Sequence, residues 1–308
     1  MEIYLPIAEQ SMNVLLLLGL GAAAGLLAGM FGVGGGFLAT PLLIFVGIPP
    51  AVAVASQANQ VVANSISSLQ VQWRRGNVDY RMGLVLLLGG MIGSSAGVTL
   101  FGYLQRIGQI DFVIALLYVL LLSSIGALML FESVRTYVSR RRNPQAPRGK
   151  LHQHYLVHRL PWKLRFYKSK LYISAFLPLG LGFAIGILSA ILGVGGGFVL
   201  VPAMIYLLGM PTAVVIGTSN FQILFVAANV TFLQAATNGT VDVVLALLLI
   251  IGGVIGAPIG SRVAAKLPSV VLRALMSVVI LIVASQLVVE LVRTPASIYS
   301  IGPRDLAP

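Results

Sequence analysis

Long apolar stretches set the fold class of this chain. Between Met12 and Leu291 they follow one another with few interruptions. Several exceed the roughly 20 residues that carry a helix across a bilayer. Of 308 residues, 58% are hydrophobic and only 9% charged, where a soluble domain carries about 25% charge. So little polar surface cannot cover a soluble core. The apolar runs do not alternate with the period of two that barrel strands need. The expectation is an all-α polytopic membrane protein.

A glycine motif recurs inside that apolar sequence. FGVGGGFLATP occupies 31–41, and LGVGGGFVLVP occupies 192–202. Glycine weakens a helix interior and lets backbones approach closely. Each motif is followed by a short apolar run and then by Gly and Pro: Gly47 and Pro49, Gly209 and Pro211. GNVD at 76–79 returns as GTVD at 239–242, and GGMIG at 89–93 returns as GGVIG at 252–256. The whole arrangement is thus doubled, at offsets of 161 to 163 residues. Apolar segments are expected at about 12–30, 37–47, 51–73, 82–104 and 112–131. The second set is expected at about 171–192, 198–209, 212–236, 243–260 and 270–291. The runs 37–47 and 198–209 are too short to cross about 30 Å as helices. They read as half-helices, or as full ones if the glycines are partly helical. Gly21, Gly25 and Gly29 put small residues on one face of the first segment, which permits close helix packing.

Charge sets the expected topology. The net charge is +12, and eleven of the twenty basic residues lie between Arg135 and Lys170, a span without Asp or Glu. That loop reads as cytoplasmic by the positive-inside bias, against anionic lipid rather than nucleic acid. Its part 151–168 mixes basic and aromatic residues, and reads equally as an interfacial segment or a solvated connector. The loop 74–81 is basic through Arg74, Arg75 and Arg81, but its counterpart 237–242 is not. The loop 104–111 is balanced, but its counterpart 261–273 carries Arg262, Lys266 and Arg273. The basic bias therefore changes sides between equivalent loops. Two inverted-topology repeats of about five hydrophobic segments each, with broken helices at the GVGGG motifs, satisfy every loop. A four-per-half arrangement leaves Arg262, Lys266 and Arg273 outside. The expected units are an N-terminal transmembrane repeat 12–134, a basic cytoplasmic linker 135–170 and a C-terminal transmembrane repeat 171–293. The acidic head MEIYLPIAEQS, followed by a full apolar run, does not read as a cleavable signal.

The candidate site follows from helix ends and neutral polar groups. Helices beginning at Phe37 and Phe198 present unpaired N–H groups at their first turns, which favours an anion. Gly32, Gly34, Gly35 and Gly36, with Gly193, Gly195, Gly196 and Gly197, form that expected site. The third segment of each set adds polar side chains: Ser56, Gln57, Asn59, Gln60 and Asn64, then Thr218, Ser219, Asn220, Gln222 and Asn229. They are costly against lipid, so they should face the interior. Their neutral donors suit the oxygens of an anion. The competing reading is helix–helix hydrogen bonding. No Lys, Arg or His falls well inside an expected span, and Asp111, Glu132, Asp242 and Glu290 sit near span ends. A cation site would want a buried carboxylate.

Other chemistries find no support. The glycine run lacks the last Gly of a dinucleotide fingerprint and the Lys of a P-loop. The chain has no cysteine, which excludes disulfides and thiolate chemistry. His152, His154 and His158 stand on the basic loop without a carboxylate or thiolate, and no metal or other cofactor is expected. No catalytic dyad or triad is evident, so an enzyme is not expected.

The doubled GVGGGF motifs, the GIPP and GMPT junctions, the SQANQ and TSNFQ patches and the GNVD and GTVD turns resemble the sulfite exporter TauE/SafE family. The resemblance covers roughly 14–133 and 173–292. It implies a multi-pass protein of the inner membrane that moves sulfur-containing anions, usually outward: sulfite, or organosulfonates such as sulfoacetate. The alternatives are import, another small anion, or an anion channel. The expected partners are the anion and membrane lipid. The carry-over reaches the motif glycines, Pro41, Pro202 and the polar patches. Ser219, Asn220 and Phe221 stand where the first half has Gln57, Ala58 and Asn59, so the two halves are not expected to serve as equal ligands.

Overall fold

The computed structural model describes residues 2–31, 36–142, 163–169, 171–267 and 269–292. Within them run ten α-helices. They are α1 (Val14–Phe31), α2 (Gly36–Phe45), α3 (Pro50–Arg74), α4 (Tyr80–Arg106) and α5 (Ile110–Arg142), then α6 (Phe176–Leu192), α7 (Gly197–Tyr206), α8 (Thr212–Leu233), α9 (Val243–Lys266) and α10 (Ser269–Val292). A π-helical turn, Gln234–Asn238, extends α8.

Local chemistry explains the boundaries. Pro49 and Pro50 open α3, where a missing N–H costs nothing. The Asp79 side chain caps α4 by accepting from the Met82 N–H at 3.2 Å, and Asp242 accepts from the Leu245 N–H at 3.1 Å at the start of α9. Gly193 ends α6 with φ +67°, a conformation that side chains with a Cβ resist.

Two short antiparallel hairpins precede α1 and α6. β1 (Glu2–Leu5) pairs with β2 (Gln10–Asn13), and β3 (Lys163–Phe166) pairs with β4 (Leu171–Ser174). The first covers the acidic head of the sequence, and the second divides between the expected linker 135–170 and the expected span 171–192. Helix α6 accordingly begins at Phe176 rather than near 171, and α5 runs on to Arg142.

Tyr80–Arg106, Ile110–Arg135, Val214–Asn238 and Val243–Gly260 are long and apolar enough to cross a membrane. Helix α3 has the length, at 25 residues, but its Ser, Gln and Asn content makes it an interior helix. Ala51 to Ala58 are all buried. Helices α2 and α7 have ten residues each, a reach of about 15 Å at the α-helical rise.

The packing crosses between the two halves of the sequence. Helix α1 packs chiefly on α9, and α4 on α6. Cβ atoms on Gly21, Gly25 and Gly29 would fall on the backbone of Leu249, Gly253 and Ala257 in turn. Helices α1 and α9 therefore run in the same direction, in van der Waals contact of main chain with main chain. Gly89 and Gly93 meet Leu179 and Phe183 in the same manner, so α4 and α6 are also parallel. Helices α3 and α8 run oppositely through the middle. Ser56, early in α3, meets Asp242 beyond the end of α8, while Thr218, early in α8, meets Asp79 beyond the end of α3.

Candidate functional site

The two half-helices meet at their first turns. Phe37 of α2 and Phe198 of α7 stack with ring centroids 4.4 Å apart and planes 11° from parallel. Both rings are buried. Such a pair contributes about 0.5–1.5 kcal/mol beyond its area. A Cβ on Gly36 would stand 3.2 Å from the Gly193 carbonyl oxygen and from the Val194 Cα, so α2 starts against the second glycine run.

That run is irregular backbone. Between Leu192 and Gly197 the chain leaves the helix, with Gly193, Gly195 and Gly196 at φ +67°, +68° and +76°. All of 193–197 is buried. The Tyr118 hydroxyl donates to the Leu192 carbonyl at 2.5 Å and fixes the end of α6. A cavity of about 10 Å³, lined by Phe37, Tyr118, Leu192, Gly196 and Phe198 among others, has room for about one water. Gly32, Gly34 and Gly35 lie outside the described residues.

Helices α3 and α8 lie directly against this junction. Val61 covers both Gly36 and Gly195, Ile223 also meets Gly195, and the Val54 carbonyl abuts Gly193. Ser56, Gln57, Gln60, Asn64, Thr218, Ser219, Asn220 and Gln222 are buried, and Asn59 is half-buried. The expected polar patches are thus mostly interior, on the two helices that flank the glycine run. Their side chains do not share one purpose. Ser56 accepts the Asp242 N–H at 2.9 Å, and Thr218 accepts the Asp79 N–H at 3.1 Å. These two hydroxyls tie helices together. Asn59 donates to the Ser56 carbonyl at 3.4 Å, and Asn229 donates to Ser94 and Ser95. Gln57 donates to Gln60 at 2.8 Å, and Gln60 donates to the Gly21 carbonyl at 3.1 Å. Among the described residues, Gln222 has no hydrogen-bond partner at either amide atom.

Asp242 is expected near a span end, and Asp79 is the last residue of the GNVD turn. Both are buried. Asp79 Oδ2 accepts from the Ser169 N–H at 3.0 Å and from its hydroxyl at 2.6 Å. Asp242 Oδ2 accepts from the Ile7 N–H at 3.0 Å. The signal was present in the doubled GNVD and GTVD turns, whose last residues are these two acids.

A family model described as sulfite exporter TauE/SafE matches residues 17–287. The chain belongs to the sulfite exporter TauE/SafE family. With its spanning helices, this TauE/SafE member is a multi-pass membrane protein. It is 32% identical over 260 residues to a "Probable membrane transporter protein" of Xylella fastidiosa (strain 9a5c), covering 82% of this chain and 86% of the relative. It is 28% identical over 275 residues to the "Probable membrane transporter protein YjnA" of Bacillus subtilis (strain 168), covering 87% and 97%. It is 25% identical over 289 residues to the "Probable membrane transporter protein YunE" of the same strain, covering 91% and 98%. No solved structure matches the chain significantly.

Proposed function

We propose that this TauE/SafE membrane transporter exports a small sulfur-containing anion, sulfite or an organosulfonate such as sulfoacetate, across the inner membrane by alternating access. The observation that carries the reading is the meeting of α2 and α7 in the interior. Two first turns converge there, with Phe37 on Phe198. Backbone N–H groups at such turns lack intrahelical partners and carry the positive end of the helix dipole. Broken helices with facing half-helix ends are a recurrent way to hold an anionic group inside a membrane protein. The neutral amides and hydroxyls of α3 and α8 beside them add donors without a buried charge.

The same reading takes the chain as two inverted repeats, 12–134 and 171–293, joined by a cytoplasmic linker at 135–170. Helix α3 is the sequence counterpart of α8, and the two run antiparallel. Helices α4 and α9 follow them and point opposite ways, and so do their partners α6 and α1. Opposed counterparts let each half adopt the conformation of the other, which is how inverted repeats expose one site to two sides in turn. A negative interior favours exit of a monovalent anion by about 2.3 kcal/mol per 100 mV, so outward movement needs no coupling ion.

Proteoliposomes loaded with labelled sulfite should lose it faster than protein-free vesicles. Gly196→Leu, which puts a side chain into a left-handed position against Ile185, should stop that flux while the protein stays folded. Absence of flux above background for sulfite, sulfate, thiosulfate and sulfoacetate would overturn the proposal. Conductance without saturation would make the chain a channel instead.

A further inference from the structure

The buried polar groups of α3 and α8 are not equally occupied. Seven buried side-chain polar atoms among the described residues lack a hydrogen-bond partner. Gln222 contributes two of them, both ends of one amide, and the residue is fully buried. A buried amide left idle is costly, so an idle one in a native interior calls for a reason.

Its sequence counterpart is Gln60, and the surroundings correspond. A Cβ on Gly90 would stand 2.7 Å from the Gln222 amide nitrogen, and one on Gly253, the counterpart of Gly90, would run into the Gln60 amide nitrogen. Each glutamine thus presses on a glycine of the neighbouring long helix. What differs is the clamp. Gln57 donates to the Gln60 oxygen, which turns the Gln60 nitrogen toward the Gly21 carbonyl. In the second half the place of Gln57 is taken by Ser219. Its short hydroxyl donates to the Ile216 carbonyl of its own helix at 3.2 Å. No hydrogen bond among the described residues then holds the Gln222 amide.

We infer that Gln222 is the amide that recognises the transported oxyanion, and that Gln57 and Gln60, whose amide nitrogens both donate within the protein while the Gln57 oxygen is left over, are a structural counterpart. The inference rests on the anion-transport reading above and sharpens it: binding is one-sided, on the α8–α4 side. Ser219 acts as a positioning residue by failing to reach Gln222. The amide nitrogen supplies up to two donors to the anion's oxygens, and the amide oxygen accepts from a hydroxyl if the anion is protonated.

Two substitutions in the full chain test this, with sulfite as the probe. Gln222→Met keeps length and removes both idle polar atoms. It should leave the melting temperature of the purified protein unchanged or raise it, while sulfite affinity, read as the ligand-induced thermal shift and as KM for flux, weakens at least tenfold. Ser219→Gln restores the clamp of the first half and should weaken sulfite affinity similarly with the fold kept. Wild-type protein that binds sulfite, with both variants binding it equally well, would overturn the inference and leave anion transport standing. A fall in melting temperature for Gln222→Met with unchanged KM would assign Gln222 a structural role and also overturn it. Wild-type protein that neither shifts with nor moves sulfite, sulfate, thiosulfate or sulfoacetate would remove the underlying reading itself.

Discussion

The hairpins at the head of each half, Glu2–Asn13 and Lys163–Ser174, are built alike and charged differently. Their pairings correspond strand for strand, Glu2 with Asn13 and Lys163 with Ser174. The first buries Leu5, and the second buries Phe166 and Ile173. Each turn donates an N–H to a helix-capping aspartate of the other half, Ile7 to Asp242 and Ser169 to Asp79. Each aspartate in turn donates its own N–H to a hydroxyl on the central polar helices. The first hairpin carries Glu2 and Glu9 and no basic residue. The second is basic and aromatic. Arg81 sits 5.3 Å over the Tyr167 ring, and Lys168 lies 5.8 Å from the Tyr80 ring while donating to the Gly76 carbonyl at 3.0 Å. What the hairpins share is what docking requires. What they do not share is what two different membrane faces would impose, since basic residues gather on the cytoplasmic side.

The largest effect tests that difference directly. The chain has no cysteine, so Tyr4→Cys and Tyr167→Cys, both at well-exposed positions, can be labelled singly in intact cells. A membrane-impermeant thiol reagent should label the first fully and the second only after lysis. Labelling of both from one side would break the proposed inversion.

Next come the anchors. Asp79→Ala removes a cap and the acceptor of three hydrogen bonds, while Asp242→Ala removes the acceptor of two. Losing a cap and stranding buried donors costs about 2–4 kcal/mol. Both variants should melt earlier in detergent, Asp79→Ala by the larger margin. The reverse order would mean that hydrogen-bond number does not rank the anchors.

The smallest effect isolates one hydroxyl. Ser169→Ala should cost about 1 kcal/mol in the same melting assay. Ala8→Ser, at the corresponding place in the first hairpin, should recover part of that amount at Asp242. A destabilised Ala8→Ser would show that the two turns are not interchangeable.

Much of this was legible in the sequence because apolar length and glycine position are local signals. The starts and stops of α2, α3, α7 and α8 followed from GVGGG and the Gly–Pro junctions within a few residues. The hairpins were not legible. IYL and KLRF are too short to show a period, and their strands exist because Leu5 and Phe166 dock on helix ends distant in sequence. The polar patches were visible as a set, but their division was not. Ser56 and Thr218 read like Gln60 and Gln222 until the helix packing shows that the hydroxyls meet aspartate backbones. The idle state of Gln222 depends on a side chain three residues earlier being short, and on where Gly90 stands.

The exchange of partners between the halves has a mechanical consequence. Helix α1 keeps company with α9 and α4 with α6, main chain against main chain, each pair topped by its own hairpin. A hinge that simply swung one half of the sequence from the other would have to tear both couples apart. The packed units of this molecule are hybrids, each assembled from both halves of the chain, and any working stroke must carry them whole.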